Sequence, residues 1–280
     1  MMLRVLMLAM AGLVACAGAA FSQAGSRPPV SQCQAIARNI PGVMFASFKP
    51  AGARLAQATA KEEVKISFIG HSTYLIESPG GVTIATDYNG VYRPPVMPTV
   101  VTMNRAHMTH FTLSPDPAIQ HVLHGWSDTP GEKAEHKLLV GDVYIRNVAT
   151  DIRNRWGDYE SFQENGNSIF IFEVAGLCIG HLGHLHHELT DKHYAEIGRL
   201  DVLMVPVDGG LTMGADSMSR VVKRLRSALI LPMHRTGPPL EQFLTMFGES
   251  FQIAYAKDAI IRVSMRNLPR QPQILVPKGM

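Results

Sequence analysis

Val64-Lys65-Ile66-Ser67-Phe68-Ile69-Gly70-His71-Ser72-Thr73-Tyr74-Leu75-Ile76-Glu77-Ser78-Pro79-Gly80-Gly81-Val82-Thr83-Ile84-Ala85-Thr86-Asp87 reads as three short strands in succession. Val64 to Ile69 alternates apolar and polar residues, Thr73 to Ser78 is rich in strand formers, and Pro79-Gly80-Gly81 turns the chain into Val82 to Asp87. A further strand is predicted at Thr99 to Met103, and paired strands around Gly141-Asp142 from Lys137 to Val148. Asn167 to Val174 and Leu177 to Gly180 form another hairpin about Ala175-Gly176.

Beyond that point the pattern changes. A helix from Thr190 to Leu200 precedes the apolar run Val202 to Pro206, and a second, Ser217 to Ser227, leads into Ala228 to Pro232. In the second helix Met218, Val221, Val222 and Leu225 fall at helical spacing. Strands followed by helix-strand units suit an α/β architecture, two sheets packed face to face and flanked by helices.

Upstream, Gly25 to Glu63 has little periodicity apart from a short helix near Ser31 to Ile40, and forms a lead-in to a domain spanning 64–280. Residues 1–24 have the layout of an export signal: Arg4 is the early charge, Val5 to Val14 is apolar or small, and Ser22-Gln23-Ala24 supplies small residues for cleavage. The run is shorter than the roughly 20 residues of a membrane-spanning helix. Leu13-Val14-Ala15-Cys16 also resembles a bacterial lipobox, so Cys16 is an alternative acylated terminus. Both readings place the mature protein outside the cytoplasm, periplasmic or secreted.

With 280 residues, 46% hydrophobic and 18% charged, the chain is long enough for a sizeable core. A formal charge of +3 with mixed signs excludes a nucleic-acid footprint. Three cysteines are too few for a disulfide scaffold, and Cys178, inside an apolar run, reads as a small core residue. Twelve histidines stand out. His107 and His110 follow one predicted strand, His181, His184, His186 and His187 follow another, and His234 follows a third. Imidazoles at three strand ends prescribe a metal site, since a divalent ion needs three or four neutral nitrogens held about 2 Å away by rigid elements.

The same residues resemble the metallo-β-lactamase superfamily, in particular the branch of ascorbate-6-phosphate lactonases and similar metal-dependent hydrolases. The resemblance runs through Gly70-His71-Ser72-Thr73, Gly80 to Asp87, Asn104 to His110, His181-Leu182-Gly183-His184 and Pro232-Met233-His234. It implies the αββα four-layer sandwich with metal at one edge of the sheets. The superfamily loop His-x-His-x-Asp-His matches Arg105 to His110, so Arg105 and Thr109 stand at two changed ligand positions. His184 stands where the branch has a bridging Asp, and Asp151 is the nearest match to a third histidine of the first metal site.

The resemblance therefore implies His107, His110, His184 and His234 as ligands of one ion rather than two, Zn²⁺ foremost, with Mn²⁺ or Fe²⁺ as alternatives. Asp87 takes the position of an aspartate that orients a ligand histidine. Asp208 lies on the rim and, with Asp87, is a candidate carboxylate base; His181 stands behind the ligands; Arg105 could meet an anionic substrate group. His71 is either a substrate contact or second-row group at the mouth, or a plain turn residue. The implied function is an exported hydrolase acting on a small-molecule ester, lactone, amide or phosphoester. A non-hydrolytic binding protein on a degenerate form of the fold is the alternative.

Overall fold

The computed structural model describes residues 30–35, 62–129, 131–153, 162–236 and 240–280, and their strands form two sheets. The first contains β1 (Val64–Gly70), β2 (Thr73–Glu77), β3 (Thr83–Ala85), β4 (Val100–Met103), β5 (His121–His124) and, from late in the chain, β13 (Ile260–Val263). Their spatial order is β13-β1-β2-β3-β4-β5. The second sheet contains β6 (Lys137–Val140), β7 (Val143–Arg153), β8 (Phe162–Val174), β9 (Leu177–His181), β10 (Val202–Pro206), β11 (Leu229–Met233), β12 (Gln252–Tyr255) and β14 (Gln273–Val276), in the order β12-β14-β11-β10-β9-β8-β7-β6.

Two-residue periodicity sorts the core. Val202 and Met204 of β10 join Ile66, Tyr74, Ile84, Phe170 and Phe172 between the sheets, while Leu203 and Val205 point to the other side. There they meet the helices α2 (Asp191–Ile197), α3 (Ala215–Leu225) and α4 (Leu240–Leu244), whose Ile197, Met218, Val221, Val222 and Phe243 are buried on the same cluster. Thr190 caps α2: its hydroxyl accepts from the His193 N–H, and the His193 ring accepts from the Thr190 N–H. Among the described residues, the outward face of the first sheet is covered by loop residues instead, Tyr88, Ile119 and Trp126 packing on Ala85, Val101 and Met103.

Strand direction concentrates loop ends at one edge. β3, β4 and β5 are parallel, as are β9, β10 and β11. β1 and β3 are each antiparallel to β2, so β1 ends at the same edge as β3 and β4. His71, Asp87, the 104–110 loop, the 181–187 loop, Asp208 and His234 all leave strands at their carboxyl ends.

Cys178 departs from the sequence reading. It is fully buried as expected, but it is bonded to Cys33 across 145 residues. A strand cysteine's side chain points to one face of the sheet, and this one meets the short helix α1 (Gln32–Ala35) docked there. Glu173 completes the attachment: its carboxylate accepts from the Ser31 hydroxyl, the Gln32 N–H and Arg146 Nε, the last at 2.8 Å. Residues 1–24, read as an export signal, with Cys16, and most of the 25–63 lead-in lie outside the described residues. Among those described, no helix is long and apolar enough to cross a membrane.

Candidate metal centre

Five histidines meet at the strand-end edge. Candidate donor atoms of His71, His107, His110 and His234 all lie within 4.8 Å of one another. His184 adjoins them: its Nε2 is 3.2 Å from His107 Nε2, and His234 Nε2 is 3.3 Å from the same atom. Two imidazoles on one tetrahedral ion, with bonds of about 2.1 Å, hold their nitrogens about 3.4 Å apart. The two spacings are close to that separation.

Two further observations fit a metal. The Nε2 atoms of His71 and His110 are buried without a hydrogen-bond partner, an arrangement costly for a polar atom unless a ligand completes it. Burial also keeps the rings neutral and able to coordinate. It lowers His71 to about 4 and holds His110 and His184 well below the ordinary histidine range, with neighbouring histidines reinforcing the effect.

Polar groups stand beside the outer nitrogens of His110, His234, His107 and His184. Asp87 Oδ2 lies 2.6 Å from His110 Nδ1, both groups fully buried, and Asn104 Nδ2 donates to Asp87 Oδ1 at 3.0 Å. Ser72 Oγ is 3.1 Å from the same histidine nitrogen. Asp208 Oδ2 lies 2.8 Å from His234 Nδ1, while the Asp208 carboxylate accepts the N–H groups of Gly210 and Thr212 and the Thr212 hydroxyl. Burial opposes ionisation of Asp208, but His234 and Thr212 outweigh it and hold the group well below the usual carboxylate range. Burial raises Asp87 instead. A carboxylate at Nδ1 fixes the proton there and leaves Nε2 as the coordinating lone pair. Both aspartates thus position histidines, and their oxygens are engaged in doing so rather than turned to the cleft as bases.

His107 is oriented differently: its Nδ1 is 2.6 Å from Thr109 Oγ1. Behind His184, its own Nδ1 is 3.2 Å from His186 Nε2, and His186 is buried with its Nδ1 accepting from the Arg153 N–H. Asn167 Oδ1 accepts from the His184 N–H at 2.7 Å.

The backbone at the site is unusual. Among the described residues His71, Asp87 and His234 have φ of 53°, 43° and 55°. Left-handed backbone at a non-glycine residue costs about 1–2 kcal/mol, so three such residues at one centre indicate a geometry over-determined by its surroundings. Gly183, at φ 62°, turns the chain between His181 and His184, where a Cβ would lie 2.4 Å from Asn104 Nδ2.

Comparison with known proteins agrees with this geometry: residues 65–234 match the beta-lactamase superfamily domain. The chain belongs to that superfamily. A UPF0173 metal-dependent hydrolase of Pyrococcus furiosus is 24% identical over 220 residues, covering 69% of this chain and 96% of the relative. Another, from Methanocorpusculum labreanum, is 22% identical over 206 residues, covering 68% and 92%. A solved metallo-β-lactamase superfamily structure from Thermotoga maritima, named as a candidate Zn-dependent hydrolase, superposes with TM-score 0.53 at 28% identity, covering 76% of this chain and 98% of that one.

Arg105 is exposed on the rim. Asp151 lies away from the cluster, its carboxylate accepting from the Asn165 N–H. His181, fully buried, places its Nε2 2.9 Å from the Ser72 carbonyl and accepts from the Gly183 N–H, so it supports the Ser72 turn from behind. Sequence reading placed His71 at the mouth without assigning it to the donor cluster. Its signal was the Gly70-His71 step, where a Cβ on Gly70 would sit 2.3 Å from the Tyr92 ring, which stacks on His71.

Proposed function

We propose that this member of the superfamily is an exported hydrolase that uses one metal ion, held by His107, His110, His184 and His234, to cleave a small-molecule ester, lactone, amide or phosphoester. The pair of Nε2 separations of 3.2 and 3.3 Å about His107 carries the reading. When bound, a divalent cation with a coordination position beyond its imidazoles would supply Lewis acidity and bring the pKa of a water there down to about 7. An all-imidazole donor set suits Zn²⁺.

The chain's own residues do the rest. Asp87 and Asp208 keep the Nδ1 protons of His110 and His234 in place, so their Nε2 lone pairs face the cleft. Thr109 and Asn167 fix His107 and the His184 backbone. Arg105, exposed on the first loop, offers a cation to an anionic part of the substrate. Export is supported by the leader-like residues 1–24 and by the Cys33–Cys178 disulfide, a bond that persists in oxidising compartments.

The test is turnover of a panel of lactones, carboxylic esters, amides and phosphoesters by Zn²⁺-loaded protein, compared with His234→Ala. Activity on at least one class, removed by chelator and restored by Zn²⁺, is expected from the parent. A panel turned over equally by parent and variant contradicts the reading.

A further inference from the structure

We infer that His71 is itself a metal ligand, taking over from the carboxylate that the superfamily loop carries where this chain has Thr109. The inference rests on the metal centre proposed above and concerns how that centre is completed.

Thr109 is poorly placed to coordinate, because its hydroxyl lies 2.6 Å from His107 Nδ1 and serves as that ring's partner. His71 supplies what the loop lacks. Its Nε2 is buried and without a hydrogen-bond partner, and one of its ring nitrogens lies within 4.8 Å of the donor atoms of His107, His110 and His234. Its ring centroid is 4.1 Å from that of His234, and the His234 N–H donates to the His71 carbonyl at 2.7 Å, tying the two backbones together. Both residues sit in left-handed backbone, at φ 53° and 55°. On the far side the Tyr92 ring lies parallel to the imidazole at 6.0 Å, in space kept open by Gly70. A plain turn residue requires none of this. Asparagine, which tolerates left-handed backbone and reproduces local turn hydrogen bonds, would serve as well.

That difference supplies the test. His71→Asn keeps a residue suited to the turn and removes the imidazole. Zn²⁺ affinity is measured by competition with a chromogenic chelator, and the visible spectrum of the Co²⁺ form is recorded for parent, His71→Asn and His71→Asn/Thr109→Asp. The expected result is at least about a tenfold loss of affinity in the single variant, of the order seen when metal-site partners are removed. The Co²⁺ bands change with it, and most of the affinity returns in the double variant. Parental affinity with an unchanged Co²⁺ spectrum in His71→Asn overturns the inference. A loss that Thr109→Asp fails to recover overturns the exchange between the two positions. Metal binding by a parent that hydrolyses nothing removes the proposed activity and leaves this assignment intact, whereas a parent that binds no metal removes both.

Discussion

The centre has two halves, one from each sheet, built to different rules. On the second sheet, His234 follows β11 and Asp208 follows β10, neighbouring parallel strands, so a histidine and its positioning carboxylate come together by topology. On the first sheet, Asp87 reaches His110 in the same way from β3 to β4, but the rest is rebuilt: Arg105 faces outward, Thr109 holds His107, and His71 enters from the β1–β2 turn. The shared part is the buried carboxylate behind a histidine. The variable part is which loop supplies the remaining donors, because several strand ends open on one edge and each can deliver a side chain to the same point.

The carboxylates give the sharpest test of that division. Asp87→Asn and Asp208→Asn should each reduce Zn²⁺ affinity by about 10–100-fold. Asp87 is expected to cost more, since its contact with His110, at 2.6 Å, is shorter than the 2.8 Å between Asp208 and His234. Isothermal titration measures both, and equal parental affinity in the two variants would erase the symmetry between the halves. A smaller effect is expected at the rebuilt side. Thr109→Val removes the hydroxyl beside His107 Nδ1, so affinity should fall by less than in either aspartate variant.

Acidification should give the mildest change. His71 and His186 both titrate at about 4 in the fold against an ordinary 6.5, so between those values the unfolded chain binds more protons than the native one. Stability of the metal-free protein should therefore fall as pH drops from about 6.5 towards 4, with a Tm decrease of several degrees in a thermal scan. His186→Gln should lessen the fall, and an unchanged profile in that variant would show that His186 does not contribute.

Much of this was legible in sequence where period and position coincide. The β1 to β3 meander, the β8–β9 hairpin and α3 follow from alternation, turn residues and helical spacing, and His107, His110, His184 and His234 follow from standing just past strands. The return of β13 to pair with β1 was not legible, because Ile260–Val263 is a four-residue run whose register is set by a strand almost 200 residues earlier. The Cys33–Cys178 bond escaped for a related reason: an apolar run explains a buried cysteine without a partner, and the partner lies 145 residues away. The surroundings of His71 and Thr109 were not legible either. A spacing motif reports which residue types occur, but the Thr109 hydroxyl's turn towards His107 and the left-handed backbone at His71 exist only once the sheets are packed.

The central claim is that these histidines hold a metal. Elemental analysis of protein purified from its native compartment without chelator, beside a His110→Ala/His234→Ala variant confirmed as folded, tests it most directly. Near-stoichiometric metal in the parent and almost none in the variant is the predicted result. A folded parent that carries no metal and takes up neither added Zn²⁺ nor Mn²⁺ would contradict it.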